Sequence, residues 1–325
     1  MKTILNYPLF DGEKVIENAS VTIENGIITS VSRCESVDTN YFLIPGLIDA
    51  HTHICTDAQT ELMLQNGVTA SCDVAASPSL IERSKRFTLI SSAGMAMGCL
   101  NGSAYVNRAI ESGAAYIKVL LTQPNLMLKS VLKSICNTAH ENGIKVAIHA
   151  TTVKAVRLAV SCSADILIHV PMKEAFPREL AEEIAEKRIT VAPTLVMMQT
   201  FAESHRNGYV PENYQNAENA VGLLHEAGVQ ILVATDANNG SFAPPVEYGT
   251  SMHREMQLLV NAGLTPCEVL AGATGKVAEV FGIAGLGHIA EGKRATMLLL
   301  NGRADKNTSN TVKIKQIRID GEAIL

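Results

Sequence analysis

Residues 42–53 read FLIPGLIDAHTH, an apolar run broken only by Pro45-Gly46 and Asp49 that ends on His51 and His53. A short apolar run bounded by turn residues reads as a buried strand. Seven similar runs follow: VTASCDV from Val68, FTLISSAG from Phe87, YIKVLL from Tyr116, KVAIHA from Lys145, ADILIHV from Ala164, ITVAPTL from Ile189 and QILVATD from Gln230. Helical patterns separate several of them, over Leu126–Asn142, Thr152–Cys162, Lys173–Lys187 and Glu212–Ala227. Two of these helices stop at a glycine just before the next strand, in ENGIKVAIH and EAGVQILVATD, which is the usual chemistry of a helix-to-strand loop. Eight apolar strands with intervening helices over about 240 residues fit a (β/α)₈ TIM barrel. A doubly wound open sheet is the rival, but its Gly-rich phosphate loop after the first strand is missing.

The two ends read differently. Residues 1–35 hold short extended runs divided at Asp11-Gly12 and Asn25-Gly26, and the last forty repeat the style at Asn301-Gly302 and Asp320-Gly321. They predict a small β-sandwich domain built from both termini, residues 1–42 and 288–325, around a barrel of residues 43–287.

Composition narrows the function classes. The 325 residues carry a formal net charge of -5, with 47% hydrophobic and 18% charged. Mild negative charge argues against nucleic acid or an anionic membrane as partner, and no apolar run reaches the length of a membrane span. Asp11, Glu13 and Lys14 fall where a secretory leader would need an apolar core. The seven scattered cysteines read as reduced thiols, so a cytoplasmic enzyme of small molecules is expected.

In a (β/α)₈ barrel, chemistry sits at the C-terminal strand ends. The polar residues there are His51, His53, Lys118, His149, His169 and Asp236. Taken singly, each has a structural reading: a hydrogen-bonded pair for His51 and His53, satisfied core histidines for His149 and His169, a helix N-cap for Asp236. Lys118, among Tyr, Ile, Val and Leu, is the hardest to explain by packing, and a buried lysine readily loses its proton. Six such residues aimed at one barrel face read together as a site. His51 and His53, two apart on a strand, point the same way and are spaced to chelate.

With these motifs, and with SMHREMQLLVNAGLTPCEVLAGATGKVAEVFG and GLGHIAEGKRA after them, the sequence resembles the amidohydrolase superfamily, in its prolidase-like and imidazolonepropionase-like branch. The resemblance implies two divalent metal ions, most often zinc: His51, His53 and Asp236 on the first, His149 and His169 on the second. Lys118 would bridge them as an N-carboxylated lysine formed with carbon dioxide. It further implies cleavage of an amide (dipeptide, Xaa-Pro or N-acyl amino acid) by a metal-bridging hydroxide, with Asp236 as general base and then acid. Alternatives are a mononuclear deaminase or imidazolone-type cyclic amide hydrolase, or a lactone, urea or phosphoester hydrolase on the same binuclear centre. Deaminases carry Glu three residues after the fifth-strand histidine, where this chain has Thr152. Relatives form homo-oligomers, which leaves a homo-oligomer open here.

The remaining site expectations come from the residues. Tyr248 and Arg206 are candidate substrate contacts. Asp73 either orients a ligand histidine from behind or starts a turn. Met197, Met198 and Phe201 either form an apolar pocket wall or pack in the core. The segment after Lys118, LLTQPNL, lacks the Gly-rich turn expected of prolidases, and the short stretch from Val68 to Ile117 puts Xaa-Pro specificity in doubt.

Overall fold

The computed structural model describes residues 2–122 and 127–325. The chain opens with β1 (Lys2–Phe10), β2 (Val15–Glu24), β3 (Ile27–Arg33), β4 (Tyr41–Pro45) and β5 (Leu47–Thr52). Then come α1 (Asp57–Gln65), β6 (Val68–Asp73), α2 (Pro78–Arg83), β7 (Thr88–Ser91), β8 (Met95–Ala96), α3 (Gly102–Glu111) and β9 (Ile117–Leu121). After α4 (Lys129–Glu141), β10 (Val146–Ala150), α5 (Val153–Ser161), β11 (Ile166–Ile168), α6 (Arg178–Glu186) and β12 (Thr190–Ala192) the chain turns helical. It runs through α7 (Leu195–Ser204), α8 (Tyr214–Glu226), α9 (Thr250–Asn261), α10 (Pro266–Gly272) and α11 (Gly275–Phe281) before β13 (Met297–Asn301), β14 (Ile314–Ile319) and β15 (Glu322–Ala323).

Both termini join one seven-stranded sheet, in the order β15-β14-β13-β4-β1-β2-β3. The join is the antiparallel pair of β13 with β4, which runs from Met297 opposite Pro45 to Asn301 opposite Tyr41. Asn25-Gly26 turns β2 into β3 with φ of 51° and 83°, the left-handed pair that a two-residue hairpin requires. Leu9, Val21, Ile28, Leu43 and Met297 form a separate core for this sheet.

The middle of the chain is α/β. Parallel strands form a five-stranded sheet, β12-β11-β10-β9-β8, and a three-stranded one, β5-β6-β7. The strands are apolar on both faces because helices cover one and side chains fill the other. Ala115 N–H donates to the Ser91 carbonyl at 2.9 Å, where β7 ends and β9 begins. The eighth expected run, 230–236, makes one isolated bridge, Ile231 with Val191, rather than a continuous strand, and its hydrogen bonds reach a neighbour on either side. Leu232 N–H donates to Val191 O at 2.9 Å, and Val233 O accepts from Ala50 N–H at 3.0 Å.

The expected helices appear with shorter ends. Thr152 caps α5, its hydroxyl accepting from Ala155 N–H at 3.1 Å. The helix expected from Lys173 starts only at Arg178, since Pro177 disfavours helical backbone in the residue before it. Leu126, the expected start of α4, and residues 123–126 of the LLTQPNL segment lie outside the described residues. All seven cysteines are free thiols, and among the described residues no helix is long and apolar enough to cross a membrane.

Candidate metal centre

The strand ends deliver His51, His53, Lys118, His149, His169 and Asp236 to a single cavity of about 300 Å³. His51 is on β5 and His53 just beyond it, so the alternation of the strand turns both rings the same way. Lys118 is on β9 and His149 on β10. His169 follows β11 and Asp236 ends the eighth run, both in left-handed backbone with φ of 71° and 58°. That conformation is uncommon outside glycine and marks a site held in place by its surroundings.

The polar atoms converge without pairing off. Nε2 of His53 lies 3.0 Å and Nε2 of His51 3.4 Å from Oδ1 of Asp236, yet that buried oxygen has no hydrogen-bond partner. Lys118 Nζ is 3.4 Å from His51 Nε2, and the His149 and His169 ring centroids are 4.5 Å apart. One donor atom each from His51, His169 and Asp236 lies within 4.8 Å of the other two. A buried carboxylate oxygen facing imidazole nitrogens without a hydrogen bond is the arrangement a shared cation completes.

Burial sets the protonation states. It pushes His149 down to about 3, with Lys118 and His53 adding repulsion, and it holds His51 and His169 well below the usual histidine range. Burial also brings Lys118 down to about 7, against the pull of Asp236. Neutral imidazoles are the form that binds a metal. The Thr194 hydroxyl donates to Pro193 O at 2.7 Å, so its oxygen accepts from His169 Nδ1–H at 2.6 Å. That fixes the tautomer and leaves the Nε2 lone pair of His169 free for the cavity. The donor set fits a divalent metal.

Tyr248 and Arg206 do not line the cavity, and Asp73 takes the second of its two readings, the start of a turn. Asp73 bonds no ligand imidazole; its carboxylate accepts from Thr52 Oγ1 at 3.1 Å and from the N–H groups of Ile54 and Ala75 at 2.5 and 2.9 Å, so it holds the chain on either side of His53. Tyr248 does not line the cavity, because its hydroxyl donates to the His53 carbonyl at 2.7 Å. Arg206 is exposed; left-handed turns at His205 and Asn207 present Asn207 and Tyr209 to the cavity in its place. Met197, Met198 and Phe201 do form a wall of it.

Two buried acids escaped the sequence reading. Asp49 accepts from His51 N–H, Thr235 N–H and the Thr235 hydroxyl at 3.1, 3.0 and 2.6 Å, tying the first strand to the residue before Asp236. Glu255 accepts from Leu195 and Val196 N–H at 2.9 and 2.6 Å, capping α7 directly after Thr194. An acid inside the apolar run LIDAHTH was the available signal for Asp49, since it must be partnered there.

A family model described as the amidohydrolase family matches residues 63–324. An imidazolonepropionase from Thermoplasma volcanium is 22% identical over 361 residues, covering 88% of this chain and 84% of the relative. Among solved structures, a Xaa-Pro dipeptidase with bound methionine in its active site superposes with a TM-score of 0.84 at 19% identity, over 99% of each chain. A molinate hydrolase superposes with a TM-score of 0.82 at 16% identity, over 98% of this chain and 93% of that one. At these identities the structural likenesses speak to the fold.

Proposed function

Because the chain belongs to the amidohydrolase family and is a hydrolase of carbon–nitrogen bonds, we propose that its cavity is a binuclear metal-dependent amidase site acting on small molecules in the cytoplasm. The observation that carries the reading is the buried, unpartnered Oδ1 of Asp236 facing the imidazoles of His51 and His53. His51, His53 and Asp236 would hold one divalent ion and His149 and His169 the second, zinc being suited to this nitrogen and oxygen set. The ions would acidify water to near neutrality and polarise the scissile carbonyl.

The chain's own residues supply the rest. Burial lowers the Lys118 pKa to about 7, so its free amine is far more accessible at neutral pH than that of an exposed lysine. Free amine would add to carbon dioxide, releasing one proton and leaving an anionic carbamate, which would make Lys118 a ligand of the metal centre. Asp236 accepts a proton from the attacking water and delivers it to the leaving nitrogen, which departs as amine while the acyl group leaves as carboxylic acid. Thr194 keeps His169 in the required tautomer.

The fold belongs to the same proposal. The eight runs close as a (β/α)₈ barrel over 43–287, and residues 1–42 and 288–325 form the small β-sandwich. The Ala115–Ser91 bond at one junction of the two parallel sheets, and the Ala50–Val233 and Leu232–Val191 bonds that join them through the eighth run at the other, support closure. Ring opening of a cyclic amide is the second reading, favoured by the imidazolonepropionase relative. Removing metal with a chelator is expected to abolish amide hydrolysis and zinc to restore it; hydrolysis undiminished in stripped protein would contradict the proposal.

A further inference from the structure

We infer that this site takes an uncharged amide with alkyl or aryl groups on both sides of the scissile bond, and not a dipeptide or N-acyl amino acid bearing a free carboxylate. The inference rests on the hydrolase reading and narrows its substrate.

The cavity has two unlike halves. One is the ligand cluster at the strand ends. The other is apolar: Met95 beside β9, Met172 after His169, Met197, Met198 and Phe201 on α7, and Phe242 from the loop after Asp236. Phe242 is 61% exposed and its ring sits 4.5 Å from that of His53, so it stands at the rim over the ligands. The polar groups of the wall, Thr122, Thr151, Asn207 and Tyr209, are all neutral.

Among the described lining residues the only cationic side chain is Lys118, which lies in the ligand cluster. Residues 123–126 are Gln-Pro-Asn-Leu and contain no cation. Nearby cations are directed elsewhere. Lys173 Nζ donates to the Asn207 carbonyl at 2.6 Å and lies 4.3 Å over the Tyr209 ring, behind the wall. The Arg254 guanidinium donates to Gln199 Oε1 at 3.1 Å outside the cavity. A carboxylate carried away from the scissile bond would lose its water against thioethers and rings with no counter-charge, which is strongly unfavourable. Thioether walls instead suit apolar groups of varied shape.

The test uses matched pairs with the zinc-loaded protein. Hexanoyl anilide and 4-(hexanoylamino)benzoate differ by one carboxylate. Their hydrolysis-inert ketone counterparts are 1-phenylheptan-2-one and its ring 4-carboxylate. Calorimetric titration is expected to show the neutral ketone binding at least about tenfold more tightly, with kcat/KM for the neutral anilide higher in proportion. Phe242→Arg, a change at an exposed rim position, is expected to shrink that ratio by about tenfold. Equal or tighter binding of the carboxylate overturns the inference, as does failure of the neutral ketone to bind. Loss of carboxylate binding in Lys173→Ala overturns it as well, by naming a receptor. Preferential binding of the neutral ketone with neither anilide cleaved would leave this inference standing and remove the hydrolase reading instead.

Discussion

Asp49 and Glu255 on one side, and Asp236 on the other, show two ways this molecule buries a carboxylate. The first two are fully enclosed, and every one of their oxygens is met by a backbone N–H or a hydroxyl. Burial still pushes Asp49 up to about 7 and Glu255 up to about 8. Asp236 is also buried, and its Oδ1 faces two imidazoles without a hydrogen bond. A displaced pKa therefore accompanies burial in Asp49 and Glu255, whereas a missing partner is what sets Asp236 apart from them. The paired acids tie remote backbone segments together, and the unpartnered one is the acid the proposed metal centre uses.

Substitution should separate the two kinds most widely at Asp236. Asp236→Asn is expected to lower turnover by about 10²- to 10⁴-fold while leaving the metal-free thermal midpoint unchanged or raised, because an unpartnered buried acid is removed. Asp49→Ala should do the reverse in kind, costing about 1–3 kcal/mol by stranding the N–H groups of His51 and Thr235. Turnover and calorimetric melts of both variants decide this. An Asp236 variant destabilised as much as the Asp49 one, with activity intact, would break the comparison.

Thr194→Val removes the acceptor for His169 Nδ1–H. A roughly 10- to 100-fold weaker metal affinity is expected, read by chelator competition; unchanged affinity would show that the tautomer is fixed some other way.

Glu255 gives a pH test. Its folded-state pKa is pushed up by burial to about 8 from the ordinary 4.5 of a glutamate, so between about 4.5 and 8 the folded state holds the extra proton and stability falls as pH rises. Glu255→Gln cannot titrate and leaves one helix N–H without an acceptor, costing about 1–3 kcal/mol near pH 5. The gap between wild type and variant should narrow toward pH 8 in denaturant melts, and a gap that widens would reverse the assignment. The smallest effect is expected for Tyr248→Phe, about 1 kcal/mol for the lost bond to the His53 carbonyl, with turnover little changed.

Much of this was legible in the sequence because its signals are local. Apolar runs ending in His or Asp give the strands and the six convergent residues, and Asn25-Gly26 gives its hairpin. What was not legible depends on partners remote in the chain or on backbone turns. Asp49 is explained by Thr235, 186 positions away, and Glu255 by the start of α7, 60 positions away. Arg206 reads as a substrate contact until left-handed residues on either side of it turn Asn207 and Tyr209 inward instead. Tyr248, placed over the mouth by its loop, spends its hydroxyl on the backbone.

The most direct measurement is the metal content of tag-free protein grown with zinc and bicarbonate, by elemental analysis, beside Lys118→Ala. About two ions per chain are expected in the wild type, falling sharply in the variant. One ion per chain, unaffected by the loss of Lys118, would contradict the binuclear centre.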